Sequence, residues 1–374
     1  MKYLLISIFL SHVVNADPTI LSAQVLFRHG DRTPVTTVPS DPYQESFWGL
    51  PWGTLTTQGM QQHLINGLKL KARYVDELKL VNATYSPYDI HIRSALHDRC
   101  LQSAAADFAG FYSDSKFHPQ GGGWPKNWTP LPIHTNTDPD HEFEPDAPCA
   151  RAKQIENERL ARPEYLNYEQ QHIDIVQAFA KGTGEPWTKW WDIIQYAGTL
   201  VCENAHGLTL PSFVTPQLYN DTISIRSTII DYTAGMAILQ ALQNPELIRL
   251  RAGVLIKTLT GLFRAYTDEK LYAYSVHDST ISATLYALGV TAKMDVIGAG
   301  QPGYAATLIF ELWKMDDGSL AIKLLYANTA EEALKTVTSS IQGCAGKALC
   351  PLATVRGIMD QFVVQDIDKA CQAQ

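Results

Sequence analysis

Two spacings of apolar residues alternate along this chain. Ile20 to Phe27 is a compact apolar run that stops at Arg28-His29-Gly30-Asp31-Arg32-Thr33-Pro34, which predicts a buried strand with a polar cluster at its C-terminal end. From about Thr57, Met60, Leu64, Leu68 and Ala72 recur at every fourth position, the spacing of a helix with that face inward. Ile90 to Ile92 predicts a short strand ending at Arg93, and the next helix carries Leu101, Ala104, Ala105 and Phe108 on one face. Between about Gly121 and Pro148 the chain is rich in Gly, Pro, Asp and Trp, which predicts an irregular connection.

Residues 150 to 265 read as almost wholly helical, with Ile225, Ile229, Tyr232, Met236 and Leu239 sharing a stripe suited to core packing. A strand over Lys270 to Val276 then ends at His277-Asp278 and leads into a helix from Thr280 to Leu288, with Gly289 placed as its cap. Ala306 to Trp313 and Leu320 to Ala327 flank Asp316-Asp317-Gly318, a hairpin signal. No internal repeat is present. The order is α/β, then helical, then α/β again, so an α/β domain (17–148 and 250–374) interrupted by a smaller all-helical domain (149–249) is expected.

With 374 residues, 45% of them apolar and 18% charged, the chain suits one large or two intertwined globular domains. Thirty Lys and Arg against 38 Asp and Glu give a net charge of −8. No broad positive field is available to hold nucleic acid or an anionic membrane, so arginines that bind phosphate must be locally concentrated. Residues 1–16 carry Lys2, the apolar segment Leu4 to Leu10 and the ending Val14-Asn15-Ala16, which predicts a cleaved signal peptide; the apolar segment is far shorter than the roughly 20 residues of a membrane span. No later apolar run approaches that length, and the C-terminus has no hydrophobic tail. A secreted product without a membrane anchor is expected, with the lysosomal lumen as the alternative destination. Sequons at Asn82, Asn127 and Asn220 agree with secretory passage. Six cysteines, Cys100, Cys149, Cys202, Cys344, Cys350 and Cys371, lack any Cys-x-x-Cys pair, so disulfides are expected in place of a metal site, and sequence alone cannot assign the pairing.

The chemistry concentrates at two strand ends, where open α/β sheets collect their active sites. Arg28, Arg32 and Arg93 offer fixed cations and bidentate donors suited to phosphate oxygens. His29, His277 and Asp278 add two imidazoles and a carboxylate. Such a set can transfer a phosphoryl group without metal or other cofactor, because the arginines supply the positive charge. With each fixed position met about one time in 20, the five of Arg-His-Gly-x-Arg-x-Pro recur by chance at about 10⁻⁴ over a chain of this length. The guanidinium groups lower the pKa of His29 and, until a dianionic substrate offsets them, that of Asp278; both effects favour an acidic optimum.

Arg28 to Pro34 resembles the signature of the histidine acid phosphatases, and His277-Asp278 resembles their second motif. Tyr43 to Gln58, Ile92-Arg93-Ser94 with Asp98-Arg99, Trp128 to Thr135, Leu210-Pro211-Ser212 and Gly343-Cys344 through Cys350-Pro351-Leu352 are similar to the animal prostatic and lysosomal type. The resemblance implies a phosphoglycerate-mutase-like central sheet flanked by helices, with an inserted smaller helical domain. It implies a phosphomonoesterase with His29 as nucleophile, Arg28, Arg32, Arg93 and His277 as phosphate ligands, Asp278 as proton donor, and a homodimer. It further implies the pairs Cys149–Cys371 and Cys344–Cys350. The usual partner of Cys202, near Ala305 or Ala306, is missing, which leaves Cys100 and Cys202 either bonded to each other or free.

Two other readings are weaker. A phosphoglycerate-mutase-type transferase shares Arg-His-Gly but has no use for a signal peptide or disulfides, and a non-catalytic binding protein has no need of all six chemical positions. The cluster Asp138, Asp140, His141, Glu142, Glu144 and Asp146 lacks calcium-loop spacing and reads as a solvated acidic loop. Trp187, Trp190 and Trp191 read as core, whereas Trp124 and Trp128 are candidates to line a substrate pocket.

Overall fold

The computed structural model of the chain describes residues 18–126, 128–263, 269–290, 296–297 and 300–373. The expected signal peptide (1–16) and the sequon residue Asn127 lie outside the described residues. The expected run Ile20 to Phe27 is β1, Thr19–Arg28. Alternate residues of β1 enter different cores: Ala23, Val25 and Phe27 pack on one face and Leu26 on the other. A strand covered on both faces is largely apolar, and the buried Gln24 within it is satisfied by donating its Nε2 to Leu259 O at 3.1 Å.

β1 pairs in parallel with β4 (Leu271–Val276), which in turn pairs in parallel with β2 (Ile90–Ser94). On its other side β1 is antiparallel to β5 (Thr307–Lys314), which forms the expected hairpin with β6 (Leu320–Ala327). Gly318 in the turn has φ +82°, a conformation that glycine adopts without steric cost. With β3 (His134–Thr135) and β7 (Lys335–Thr336) at the ends, the order is β3-β2-β4-β1-β5-β6-β7, and β8 (Cys350–Pro351) pairs with β6. The parallel strands β2, β4 and β1 lie side by side, so their C-terminal ends meet on one rim of the sheet.

After the one-turn helix α1 (Glu45–Trp48), α2 (Thr57–Lys71) runs as expected, but its buried face differs from the predicted one. Met60 and Leu68 are exposed. Gly59, His63, Asn66, Gly67 and Leu70 face inward instead, because the chain packs backbone to backbone here. A Cβ on Gly30 would lie 2.5 Å from the carbonyl oxygen of Gly59, so the glycine of Arg-His-Gly is required by close approach to α2. His63 and Asn66 both reach the buried Asp107 carboxylate of α3 (Asp98–Phe111) at 3.0 and 2.8 Å. A count of apolar residues cannot register a face made of glycine and paired polar groups.

Helices α4 (Ala150–Leu160), α5 (Pro163–Gln171), α6 (Ile173–Thr183), α7 (Trp190–Ala205) and α8 (Pro216–Thr233) follow. Val176, Phe179, Trp190, Leu200, Ile225 and Ile229 form part of a core separate from the sheet's own. The stripe expected to extend to Leu239 ends within α8 at Tyr232, since the helix stops at Thr233. α9 (Pro245–Leu262) returns to the sheet, packing Ile248, Ala252, Ile256 and Leu259 beneath it. We propose residues 149–249 as the inserted domain; its C-terminal edge falls inside α9. α10 (Asp278–Ala287) starts directly at the end of β4, and Gly289 follows at φ +65°. Disulfides join Cys149 to Cys371 and Cys344 to Cys350, whereas Cys100 and Cys202 are free and buried. No helix among the described residues is long and apolar enough to cross a membrane.

Candidate active site

The register of β1 against β4 sets Arg28 opposite Val276, so the residues that follow, His29 and His277, leave the sheet side by side. Their rings are 5.6 Å apart. The loop after β1 is fixed from three sides: the His29 N–H donates to Val276 O at 3.0 Å, Gly30 N–H to Ser103 Oγ of α3 at 3.0 Å, and Thr56 Oγ1, capping α2, donates to Asp31 Oδ2 at 2.5 Å. His206 Nε2 donates to the same Asp31 oxygen at 2.6 Å. A nucleophile on so constrained a loop is aimed before substrate arrives.

His29 Nδ1 lies 2.8 Å from Gly30 O. A carbonyl oxygen can only accept, so Nδ1 carries the ring proton and Nε2 of the neutral ring presents a lone pair. Burial, followed by the charges of Arg28, Arg99, His277 and Arg32, holds the His29 pKa well below the usual imidazole range. His277 is lowered as well, by burial and by Arg99 and His97, against the opposing pull of Glu144 and Asp278. For Asp278, burial favours the protonated form, but Arg28, Arg226, His277 and Arg32 together outweigh it and hold the carboxyl at about 2. Arg28 makes the direct ion pair, Nη2 to Asp278 Oδ2 at 3.0 Å, while its Nη1 donates to Pro302 O at 2.7 Å.

Arg99 takes the place expected of Arg93. Arg93 is held away from the histidines by Glu142, to which it donates through Nη1 at 2.8 Å and Nη2 at 2.5 Å, by Asn136 Oδ1 at 2.6 Å, and by the Phe143 ring beneath it. A guanidinium neutralised in this bidentate way has no fork left for phosphate. Arg99, in the first turn of α3, is instead one of the cations acting on both His29 and His277. The Nε groups of Arg28, Arg32 and Arg99 are buried and have no hydrogen-bond partner among the described residues. Three unpaired cationic donors around one imidazole are costly unless an oxyanion supplies acceptors.

The acidic segment is ion-paired, contrary to the expected solvated loop. Glu142 binds Arg93, Glu144 lies 2.8 Å from His97, Asp146 pairs with Arg251, and Asp140 is buried, accepting from the N–H groups of Glu142 and Phe143. His97, Glu144 and His277 bring ligand atoms within 4.8 Å of one another, but Arg99 beside His277 opposes a metal cation there. Trp124 and Trp128 stack on each other, with Trp124 Nε1 bonded to Trp128 O, and do not border the cavity that begins at Asp278. Trp191, expected in the core, does border it, while Trp190 is fully buried. Cys202 Sγ accepts from Arg32 Nη1 at 3.5 Å and lies 3.1 Å from the Tyr304 hydroxyl, and Arg28 stacks over the Tyr304 ring at 4.5 Å. Cys100 Sγ lies 3.8 Å from the His277 ring. The two free cysteines thus meet different partners at the site. Sequence reasoning missed Arg99, Arg226 and Tyr304 as site residues. The signal for Arg99 was its position just after a strand, in a helix's first turn; Arg226 and Tyr304 left none.

A family model for the histidine phosphatase superfamily (branch 2) matches residues 19–190 and 235–327. Human lysosomal acid phosphatase is 33% identical over 358 residues, covering 93% of this chain and 79% of the relative. Bovine prostatic acid phosphatase is 29% identical, over 93% and 86% of the two chains. Among solved structures, the phytase from Citrobacter braakii superposes with TM-score 0.70 at 16% identity, over 95% of this chain and 100% of the other. Hafnia alvei phytase in complex with myo-inositol hexakis sulphate gives 0.70 at 17%, over 96% and 100%. These structural likenesses establish the fold.

Proposed function

The chain belongs to the histidine phosphatase superfamily, branch 2, and from that premise we propose that it is a secreted acid phosphatase that hydrolyses phosphate monoesters through a phosphohistidine at His29. The observation that carries this reading is the His29 tautomer: a lone pair on Nε2, kept unprotonated by burial and neighbouring cations, among arginines with unpaired donors.

Arg28, Arg32, Arg99 and His277 bind the phosphoryl oxygens, and Nε2 of His29 attacks phosphorus in line with the ester oxygen. As the P–O bond breaks, Asp278 gives its proton to the departing alcohol oxygen. Water then attacks the phosphohistidine, Asp278 takes the water's proton, and inorganic phosphate leaves with His29 neutral again. In the acidic range, Asp278 becomes protonated as the dianionic substrate offsets the cations that hold it anionic.

Secretory passage, with the lysosomal lumen as the alternative, fits the paired cysteines and the exposed sequon residues Asn82 and Asn220. We also propose a homodimer, as the resemblance implies. The direct test is an alkaline quench of enzyme mixed with ³²P-labelled substrate, since phosphohistidine survives base. Label is expected on the wild-type protein and absent from His29→Ala, which is also expected to be inactive. Full turnover by His29→Ala would overturn the assignment.

A further inference from the structure

A cavity of about 560 Å³ begins at Asp278 and runs between α10 and the helical layer. Because Asp278 is the proposed proton donor to the departing alcohol, this cavity is where the rest of the substrate lies; the inference therefore rests on the phosphatase reading. Three cations border it: Lys153, Arg226 and Arg251. Lys153 is paired with Glu156 at 3.0 Å, and Arg251 with Glu156 at 2.9 Å and with Asp146.

Arg226 differs from both. It projects from α8, next to the buried Ile225, and its Nε donates to Ile194 O of α7 at 3.2 Å. Its Nη2 lies against Gly198 of α7, where an added Cβ would meet it at an ordinary contact distance of 3.6 Å. Among the described residues, neither Nη group has a hydrogen-bond partner or a carboxylate within ion-pair distance. The half-buried Arg226 is among the residues that line the cavity. Arg226 and Asp278 line the same cavity, and the charges that act on Arg226 include those of Asp278 and of Arg28 and Arg32, two of the proposed phosphate ligands. A fourth guanidinium there is unfavourable by itself. An additional anion in the catalytic complex compensates it, and the planar fork matches a carboxylate or a phosphate.

We infer that Arg226 is a receptor for a second anionic group on the leaving-group side, so that the enzyme favours phosphomonoesters bearing another carboxylate or phosphate near the scissile oxygen. Nothing in the sequence marks the residue, because it lies in a stripe whose spacing is explained by core packing.

The test compares substrates that differ only in that group. 3-Phosphoglycerate and glycerol 3-phosphate share a phosphorylated primary alcohol and differ by a carboxylate in place of a hydroxymethyl group; 1,3-propanediol bisphosphate and its monophosphate do the same for a second phosphate. For each pair the ratio of kcat/KM, anionic over neutral, is measured for wild type, Arg226→Gln and Arg226→Lys by phosphate release. In Arg226→Gln the ratio is expected to fall at least about 10-fold, the scale of one lost charge-assisted hydrogen bond, with partial recovery in Arg226→Lys. The pair with the larger fall identifies carboxylate or phosphate as the preferred group. Equal ratios in wild type and Arg226→Gln, in a variant whose Tm shows that it is folded, would overturn the inference and leave Arg226 acting on Asp278 alone. Wild type inactive on both pairs and on p-nitrophenyl phosphate would instead overturn the phosphatase reading beneath it.

Discussion

Arg28 and Asp278 are ion-paired at 3.0 Å, Nη2 to Oδ2, so a proposed phosphate ligand and the proposed proton donor neutralise each other until an oxyanion enters. Phosphate oxygens then compete with Asp278 for the same guanidinium. As the carboxylate loses that partner, its pKa rises from about 2, and protonation becomes coupled to substrate binding.

This coupling makes Asp278 important in proportion to the leaving group's basicity. Asp278→Asn is expected to slow phosphorylation of His29 by glycerol phosphate by about 10² to 10⁴ and to affect p-nitrophenyl phosphate much less, since an aryl oxide departs without a proton. Single-turnover rates measure this step apart from the common dephosphorylation. Equal losses with both substrates would assign the proton to another donor.

Arg99 and Arg93 separate ligand from scaffold. Arg99→Ala is expected to lose roughly 10² to 10³ in kcat/KM with little change in Tm. Arg93→Ala leaves the Glu142 carboxylate without its guanidinium, so it is expected to lose about 1–3 kcal/mol of stability with a much smaller change in rate. Urea unfolding and phosphate-release assays on the two variants check the assignment, and the reverse pattern contradicts it.

Chelation tests the source of the positive charge. If guanidinium groups hold the transferring phosphoryl group, activity survives dialysis against EDTA and vanadate inhibits competitively. Loss of activity on dialysis, restored by Zn²⁺ or Mg²⁺, would assign that role to a metal.

Stability against pH follows from the buried imidazoles. The pKa values of His29 and His277 are lowered on folding, so below the unfolded value of about 6.5 the unfolded chain binds protons that the folded chain does not. The imidazoles' share of stability is therefore expected to fall between about pH 7 and about pH 5, by at most about 1.4 kcal/mol per pH unit for each group, against the opposite slope of Glu203, whose carboxyl burial pushes up to about 8. Asp278 adds no slope in this window, because its contribution is lost only as pH falls from about 4 through about 2. Tm measured across the range is expected to change less steeply in His29→Asn; an unchanged slope would remove His29 from the account.

Far from the site, Glu311 in β5 is fully buried and accepts from Arg73 at 2.5 and 2.9 Å, from the Tyr74 hydroxyl at 2.9 Å and from Trp313 Nε1 at 3.1 Å. Arg73→Leu leaves that carboxylate without its cation and is expected to cost about 3–5 kcal/mol, read by urea unfolding, while KM for p-nitrophenyl phosphate stays unchanged. A loss below about 1 kcal/mol would mean that Glu311 is satisfied by its neutral donors.

The sequence by itself determined the five longer strands and most of the helices, because a strand covered on both faces is largely apolar and a helix on a core repeats its apolar positions; the two-residue strands β3, β7 and β8 carry no such pattern. It also placed Arg28, His29, Arg32, His277 and Asp278 at two strand ends, where short-range chain geometry leaves little freedom. Tertiary structure decided the rest. Whether an arginine serves phosphate or a carboxylate depends on which anion the fold brings to it: Glu142, 49 positions from Arg93, claims that guanidinium, while the first turn of α3 carries Arg99 to the histidines. The inward face of α2 is set by backbone contact at Gly59 and by Asp107 on another helix. Arg226 reaches the site only because the helical layer closes over the sheet's rim. Local pattern fixes where a side chain leaves the backbone; long-range packing fixes what it meets.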